Sequence, residues 1–167
     1  ISPVVDELVE ELKRRDIGVL IVDPFVHSHT ADENNNQEMA QIMAAWAQVA
    51  TRANVAIQLL HHYRKGAIGG HEAVRGAGAI QGAARVMHTL TAMSPEEAER
   101  LGVDEKDKWQ YVRLDNVKAN MAPPEVAHWY QLNDIALNNA TQTYPDGDHV
   151  QAISQWAPPT PWEGIDW

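Results

Sequence analysis

Three groups of residues in this chain have the types and spacing to do chemistry. The first is Val19-Leu20-Ile21-Val22-Asp23, four apolar β-formers followed by an acid. A carboxylate at the carboxyl end of a parallel strand faces the ligand crevice of an α/β sheet. There it can hold Mg²⁺, usually through water, which is the form of a Walker B strand. The plainer reading is a strand that ends at a turn-forming Asp-Pro. The second is His61-His62, which closes another apolar run, Val55 to Leu60. Side chains alternate along a strand, so one of the two imidazoles faces a site there and the other faces away. An imidazole in that place can bond a γ-phosphate or its attacking water; the alternative is one core histidine and one exposed. The third is the stretch after it. Between residues 61 and 85 the cations Arg64, Lys65, Arg75 and Arg85 meet a single acid, Glu72, amid glycines 66, 69, 70, 76, 78 and 82. A glycine-rich basic loop suits contact with the phosphates of a single strand. It equally suits a solvated surface.

A fourth constellation competes with the first. His27-x-His29, with Asp23, Asp32, His61 and His62, offers ligands for a dinuclear hydrolytic metal site. Asp32 follows His29 by three residues, so the compact His-x-His-x-Asp arrangement is absent.

The elements that must carry these groups follow from pattern. Ser2-Pro3 reads as a cap and first helical position, followed by Val5, Leu8, Val9 and Leu12 at helical spacing. Asp16-Ile17-Gly18 turns the chain into the strand 19–22, whose continuous apolar run predicts burial on both faces. A polar loop over 26–36 leads to a helix capped by Asn36, with Met39, Ile42, Met43, Trp46 and Val49 on one face to about Arg52. The strand 55–60 completes a βαβ unit. A short helix over 77–84, a strand over 86–93, and a helix capped by Ser94 with Pro95 at its first position come next. From Trp109 the pattern becomes β-like, over 109–117, 125–132 and 148–156. The Pro- and Trp-rich tail 157–167 shows no element. The fold class expected is α/β, with a mainly parallel central sheet flanked by helices and an antiparallel β extension toward the C-terminus. Residues 1–156 read as one domain.

Composition sets limits. The 167 residues carry 13 Lys+Arg against 23 Asp+Glu, a net charge of −10. That argues against a surface coated with nucleic acid or anionic lipid, while leaving room for a local basic patch. The chain is 44% hydrophobic, enough for a core. It has no cysteine, which excludes disulfides, a thiolate nucleophile and cysteine-ligated metal. No apolar run has the ~20 residues of a membrane span, and Asp6, Glu7, Glu10 and Glu11 stand where a signal peptide would be apolar. A cytoplasmic protein is the expectation.

Taken in order, VLIVDPFVHSH, Glu33-Asn34, AIQLLHHYRKG, VRGAGAIQGAARV, SPEEAERLGV and VKANMAPP resemble the RecA-like ATPases of the plasmid replicative helicase RepA type. These are AAA_25-like ATPases that include phage and mobile-element proteins. The similarity runs over about residues 1–130. It implies a RecA-like core in a hexameric ring, with ATP and Mg²⁺ between subunits and single-stranded DNA in the channel. By position it gives Asp23 the Walker B role and His62 that of γ-phosphate sensor. Arg85 matches the arginine that reaches the neighbouring subunit's nucleotide. Arg64, Lys65 and the loop to Arg75 match the channel lining. Lys118 lies where ring ATPases carry a Lys-x-Arg pair, but Asn120 stands in the arginine's place, which favours Arg85 as the finger.

The sequence contains no G-x-x-x-x-G-K-[ST]. Starting at Ile1, it looks like the second part of the ATPase core, without the backbone cradle and lysine that hold phosphates. Two further readings stand beside the helicase motor. One is a degenerate or truncated RecA-like module that only assembles or binds nucleic acid. The other is the His/Asp metallohydrolase.

Overall fold

The computed structural model describes residues 3–62, 78–121 and 127–159. The chain divides into two compact units, Ile1–Arg85 and Val86–Trp167.

In the first unit the order is α1 (Pro3–Arg14), β1 (Val19–Val22), a 3-10 turn (Phe25–Ser28), α2 (Asn36–Ala53), β2 (Ala56–Leu59) and α3 (Gly78–Ala83). Helix α1 stops because Asp16 enters the left-handed region (φ 53°). The Ile17 N–H then donates to Leu12 O at 3.0 Å, the six-to-one bond of a Schellman end. Helix α2 ends the same way, with Asn54 left-handed and the Val55 N–H donating to Ala50 O at 3.0 Å. Its start lies one residue earlier than the sequence pattern suggests. Asn35, not Asn36, is the cap, its side chain accepting from the Gln37 and Glu38 N–H groups.

Strands β1 and β2 pair in parallel, Val19 opposite Ala56 through Val22 opposite Leu59. Val9, Leu12, Val49 and Val55 form the buried core, and Leu20, Ile57, Ile17 and Trp46 pack against it. Both helices therefore cover one face of this two-stranded sheet. The other face is open: Val19 is 59% exposed and Ile21 60%. The expectation of strands buried on both faces fails here, because the described residues supply no second layer. The apolar run still records the burial that a parallel strand needs.

The second unit holds β3 (Val86–Ala92), α4 (Pro95–Leu101), a 3-10 turn (Lys108–Gln110), β4 (Tyr111–Ala119), β5 (His128–Ala136) and β6 (His149–Trp156). All four strands are antiparallel in the order β3-β4-β5-β6. The expected mainly parallel central sheet is thus corrected to a parallel pair and a separate antiparallel sheet that begins at β3. Helix α4 opens with a capping box. Ser94 Oγ accepts from the Glu97 N–H and Glu97 Oε2 accepts from the Ser94 N–H at 3.0 Å. Met93, Ala98 and Trp129 form the core, with Tyr111, Trp156, Leu101 and Val103 around it. The Arg113 guanidinium lies 5.7 Å from the Trp129 ring centroid, hydrogen-bonds Asp115 at 2.8 Å and pairs with Glu97. No helix among the described residues is long and apolar enough to cross a membrane.

Candidate functional site

Parallel pairing decides what lies beside what. Because β1 and β2 run the same way in register, their carboxyl ends emerge at one edge of the sheet. Asp23 follows β1 directly, and Leu60-His61-His62 follow β2. The ladder continues past both strands. The Leu60 N–H donates to Val22 O at 2.9 Å, and the Phe25 N–H donates to Leu60 O at 2.7 Å. Asp23 and the histidine pair are therefore held at the same sheet edge by backbone bonds. Asp23 is exposed, as is His62.

Asp23 precedes Pro24 through a cis peptide bond. Phe25 is fully buried beneath this edge. Its ring meets His29 edge-on at 4.7 Å between centroids and His61 at 6.1 Å. Glu33 Oε1 lies 3.5 Å from His61 Nδ1. The first histidine of the pair thus faces the loop that follows β1. The sequence pattern names Glu33 only within the family-like run and gives it no role. Its pairing becomes visible once β1 and β2 are seen to lie side by side.

That loop is stiff. Asp32 Oδ1 accepts from the Asn34 N–H at 2.9 Å, and Glu38 Oε2 accepts from the Asp32 N–H at 3.0 Å. Asn35 both caps α2 and donates through Nδ2 to Glu38 Oε1 at 2.7 Å. Short Asp and Asn side chains bonding nearby backbone are what fix such turns. The dense run Asp32-Glu33-Asn34-Asn35-Asn36 is the sequence signal for it.

The other expected residues separate. Arg64, Lys65 and Arg75 lie outside the described residues. Arg85 is exposed and follows α3 at the end of the first unit, and α3 packs on α2. Lys118 sits in β4 of the second unit, opposite Met87 of β3. Asp23, His27, His29, Asp32, His61 and His62 are all described. No three His, Asp or Glu side chains among the described residues gather as metal ligands. The hydrolytic dinuclear site expected as one alternative lacks its ligand cluster. Asp23 alone, an exposed oxygen donor at a strand end, fits a hard cation held mainly through water.

This edge is where known proteins can be compared. Residues 1–67 match the AAA_25 family model, an AAA domain. The matched segment contains α1, β1, α2, β2 and the histidine pair. Among solved structures, the ATPase domain of a helicase superimposes with a TM-score of 0.54 at 12% sequence identity. The match covers 74% of this chain and 47% of that one, so this chain spans about half of that domain. The two findings support the resemblance to RecA-like ATPases of the helicase type and an α/β fold of that kind.

Proposed function

We propose that this chain is the portion of a RecA-like, helicase-type motor that carries the metal-facing acid, the phosphate-sensing histidine and the trans-acting arginine. The observation that carries the reading is the shared carboxyl edge of β1 and β2. It holds Asp23 beside the His61-His62 pair inside a segment that matches an AAA domain. In the proposed enzyme Asp23 holds Mg²⁺ through water, and His62 bonds the γ-phosphate or the attacking water. Arg85 of one subunit neutralises charge that develops on the nucleotide of the next. Lys118 is a secondary candidate for that interface. Arg64, Lys65 and Arg75 face single-stranded DNA, where one basic loop per subunit of a hexameric ring gives an acidic protein a positive lining.

The residues here do not fit a complete nucleotide site. Nothing in the sequence offers the glycine-rich cradle and lysine for the phosphates, so the proposal takes these from a P-loop part in the same reading frame. The domain reading follows: residues 1–156 are the second part of the ATPase core and 157–167 a tail.

The test is turnover by two polypeptides. Residues 1–167 show no magnesium-dependent ATP hydrolysis, and a version extended upstream through a P-loop does. In the extended protein Arg85→Ala lowers the rate by ~10³-fold or more and leaves nucleotide binding intact. Mixing Arg85→Ala with Asp23→Ala subunits restores activity at mixed interfaces. Hydrolysis by residues 1–167 that Asp23→Ala abolishes, or mixed rings with no recovery at any ratio, overturns the assignment.

A further inference from the structure

The shared edge of β1 and β2 contains polar atoms that the proposed chemistry does not use. Glu33 Oε1 is shut off from solvent and has no hydrogen-bond donor within bonding distance. Both ring nitrogens of His29 are in the same condition. Phe25 stands between the two histidine rings, His29 and His61, and is itself fully buried. A buried carboxylate oxygen without a donor is costly, and a small movement that supplies one is favourable. His61 Nδ1, 3.5 Å away, is the donor at hand.

We propose that Glu33 is a positioning residue for the histidine pair: its carboxylate takes the proton on His61 Nδ1 as a hydrogen bond and thereby fixes the chain at His62. The proposal rests on the assignment of His62 as sensor. Three features of the edge favour it. The loop that presents Glu33 is braced on both sides, by the Asp32–Asn34 turn and by the Glu38 carboxylate. The backbone at Leu60 is bonded to both Val22 and Phe25, so the chain enters His61 from a fixed point. The buried Phe25 ring meets the His61 ring edge-on and limits where it can turn. A peptide anchored at residue 60 and again through the residue 61 side chain leaves His62 little freedom. Such preorganisation is what a group that must meet a phosphate or a water requires.

The ring that accepts or donates is set by its partner, so the tautomer reports the contact. Nitrogen-15 NMR of the 167-residue chain at about pH 8, above the ordinary imidazole pKa of ~6.5, reads it directly. His61 carries its proton on Nδ1 in the wild-type chain. Glu33→Met removes the acceptor at similar volume and moves the proton to Nε2. It also shifts the ring signals of His62, which Glu33 is not bonded to. Glu33→Gln retains a carbonyl acceptor and keeps the wild-type tautomer. If Glu33→Met does not fold, the wild-type tautomer and the Gln variant decide the matter. A wild-type His61 protonated on Nε2 overturns the proposal, as does a folded Met variant in which both rings are unchanged.

In the polypeptide extended through a P-loop, Glu33→Met lowers kcat by roughly 10–100-fold, the range for groups that orient a site residue. KM stays as it was, and Glu33→Gln recovers much of the rate. A Met variant with the wild-type kcat overturns the positioning role. An extended protein with no turnover at all, alongside the predicted tautomers, fails the motor reading and leaves the Glu33–His61 bond standing.

Discussion

The two units solve the same problem in opposite ways. The first builds a parallel sheet of two strands and covers only one face, leaving Val19 and Ile21 more than half exposed. The second builds an antiparallel sheet of four strands around Met93, Ala98 and Trp129, closed by a well-capped short helix. Antiparallel sheets tolerate one solvated face, whereas parallel sheets occur almost only with both faces covered. The second unit has the architecture of a finished layer. The first has that of a partial one, and the proposed site lies on its edge. Function at the carboxyl end of parallel strands needs the βαβ crossover, which orients two strand ends the same way. An antiparallel sheet would have sent Asp23 and His62 to opposite ends.

The largest effect that tests this contrast is in the second core. Trp129 is 7% exposed and touches Trp156 edge-on at 6.0 Å. Trp129→Ala should destabilise the second unit by about 3–5 kcal/mol. Hydrogen exchange followed residue by residue checks where that loss falls. Amides of β4 and β5 lose protection, and those of α2 in the first unit keep theirs. Equal loss in α2 would mean that the two units unfold as one.

A smaller effect sharpens the other side. Ile21 occupies the open face of β1, so Ile21→Thr in the 167-residue chain should change stability by no more than about 0.5 kcal/mol. Threonine keeps the β-branching that strands favour. Urea unfolding compared with the wild type reads this. In a longer protein that covers the second face, the same substitution should cost more, because it then buries a hydroxyl. A cost of several kcal/mol in the 167-residue chain would mean that this face is already covered.

Most of the local structure was readable from the residues. Pro3, Ser94-Pro95 and the Met39-Met43-Trp46 spacing each encode a helix through bonds or contacts within a few residues. The alternation after Trp109 gave three strands, displaced by two or three positions at β4 and β5. What failed was long-range. The run Val19–Val22 says only that a strand is apolar on both sides. It cannot say whether a second layer is present. The strand at Val86 has no local mark that distinguishes parallel from antiparallel partners; its pairing with β4 is set by the chain that returns after α4. In the site, Asp23 and His62 were visible as strand ends. Glu33 was not, since its partner is His61, twenty-eight residues on, brought near only by the β1–β2 register.

The smallest effect is electrostatic and belongs to α1. Glu11 accepts from Arg14 Nε at 2.8 Å and from Nη2 at 2.7 Å, and it also pairs with Arg15. The hydrogen bonds from Arg14 and then Arg15 hold its carboxyl down at about 2, against an ordinary 4.5. A carboxylate whose pKa is lowered by folding binds its proton more weakly in the native state than in the unfolded chain. Its contribution is therefore complete above about 4.5 and is lost as pH falls toward about 2. All three side chains are largely in water, which screens the pair and keeps the effect small. Glu11→Gln removes this titration. Its melting temperature should lie slightly below that of the wild type at neutral pH, and the two should converge as the pH approaches 2. Added salt should narrow the neutral-pH gap as well, since exposed pairs are screened within about 10 Å at 0.1 M. Thermal melts by circular dichroism across that range check both. A gap that persists at the acid end, or that ignores salt, would assign the effect to the lost packing of the Glu11 stem along α1 rather than to its charge.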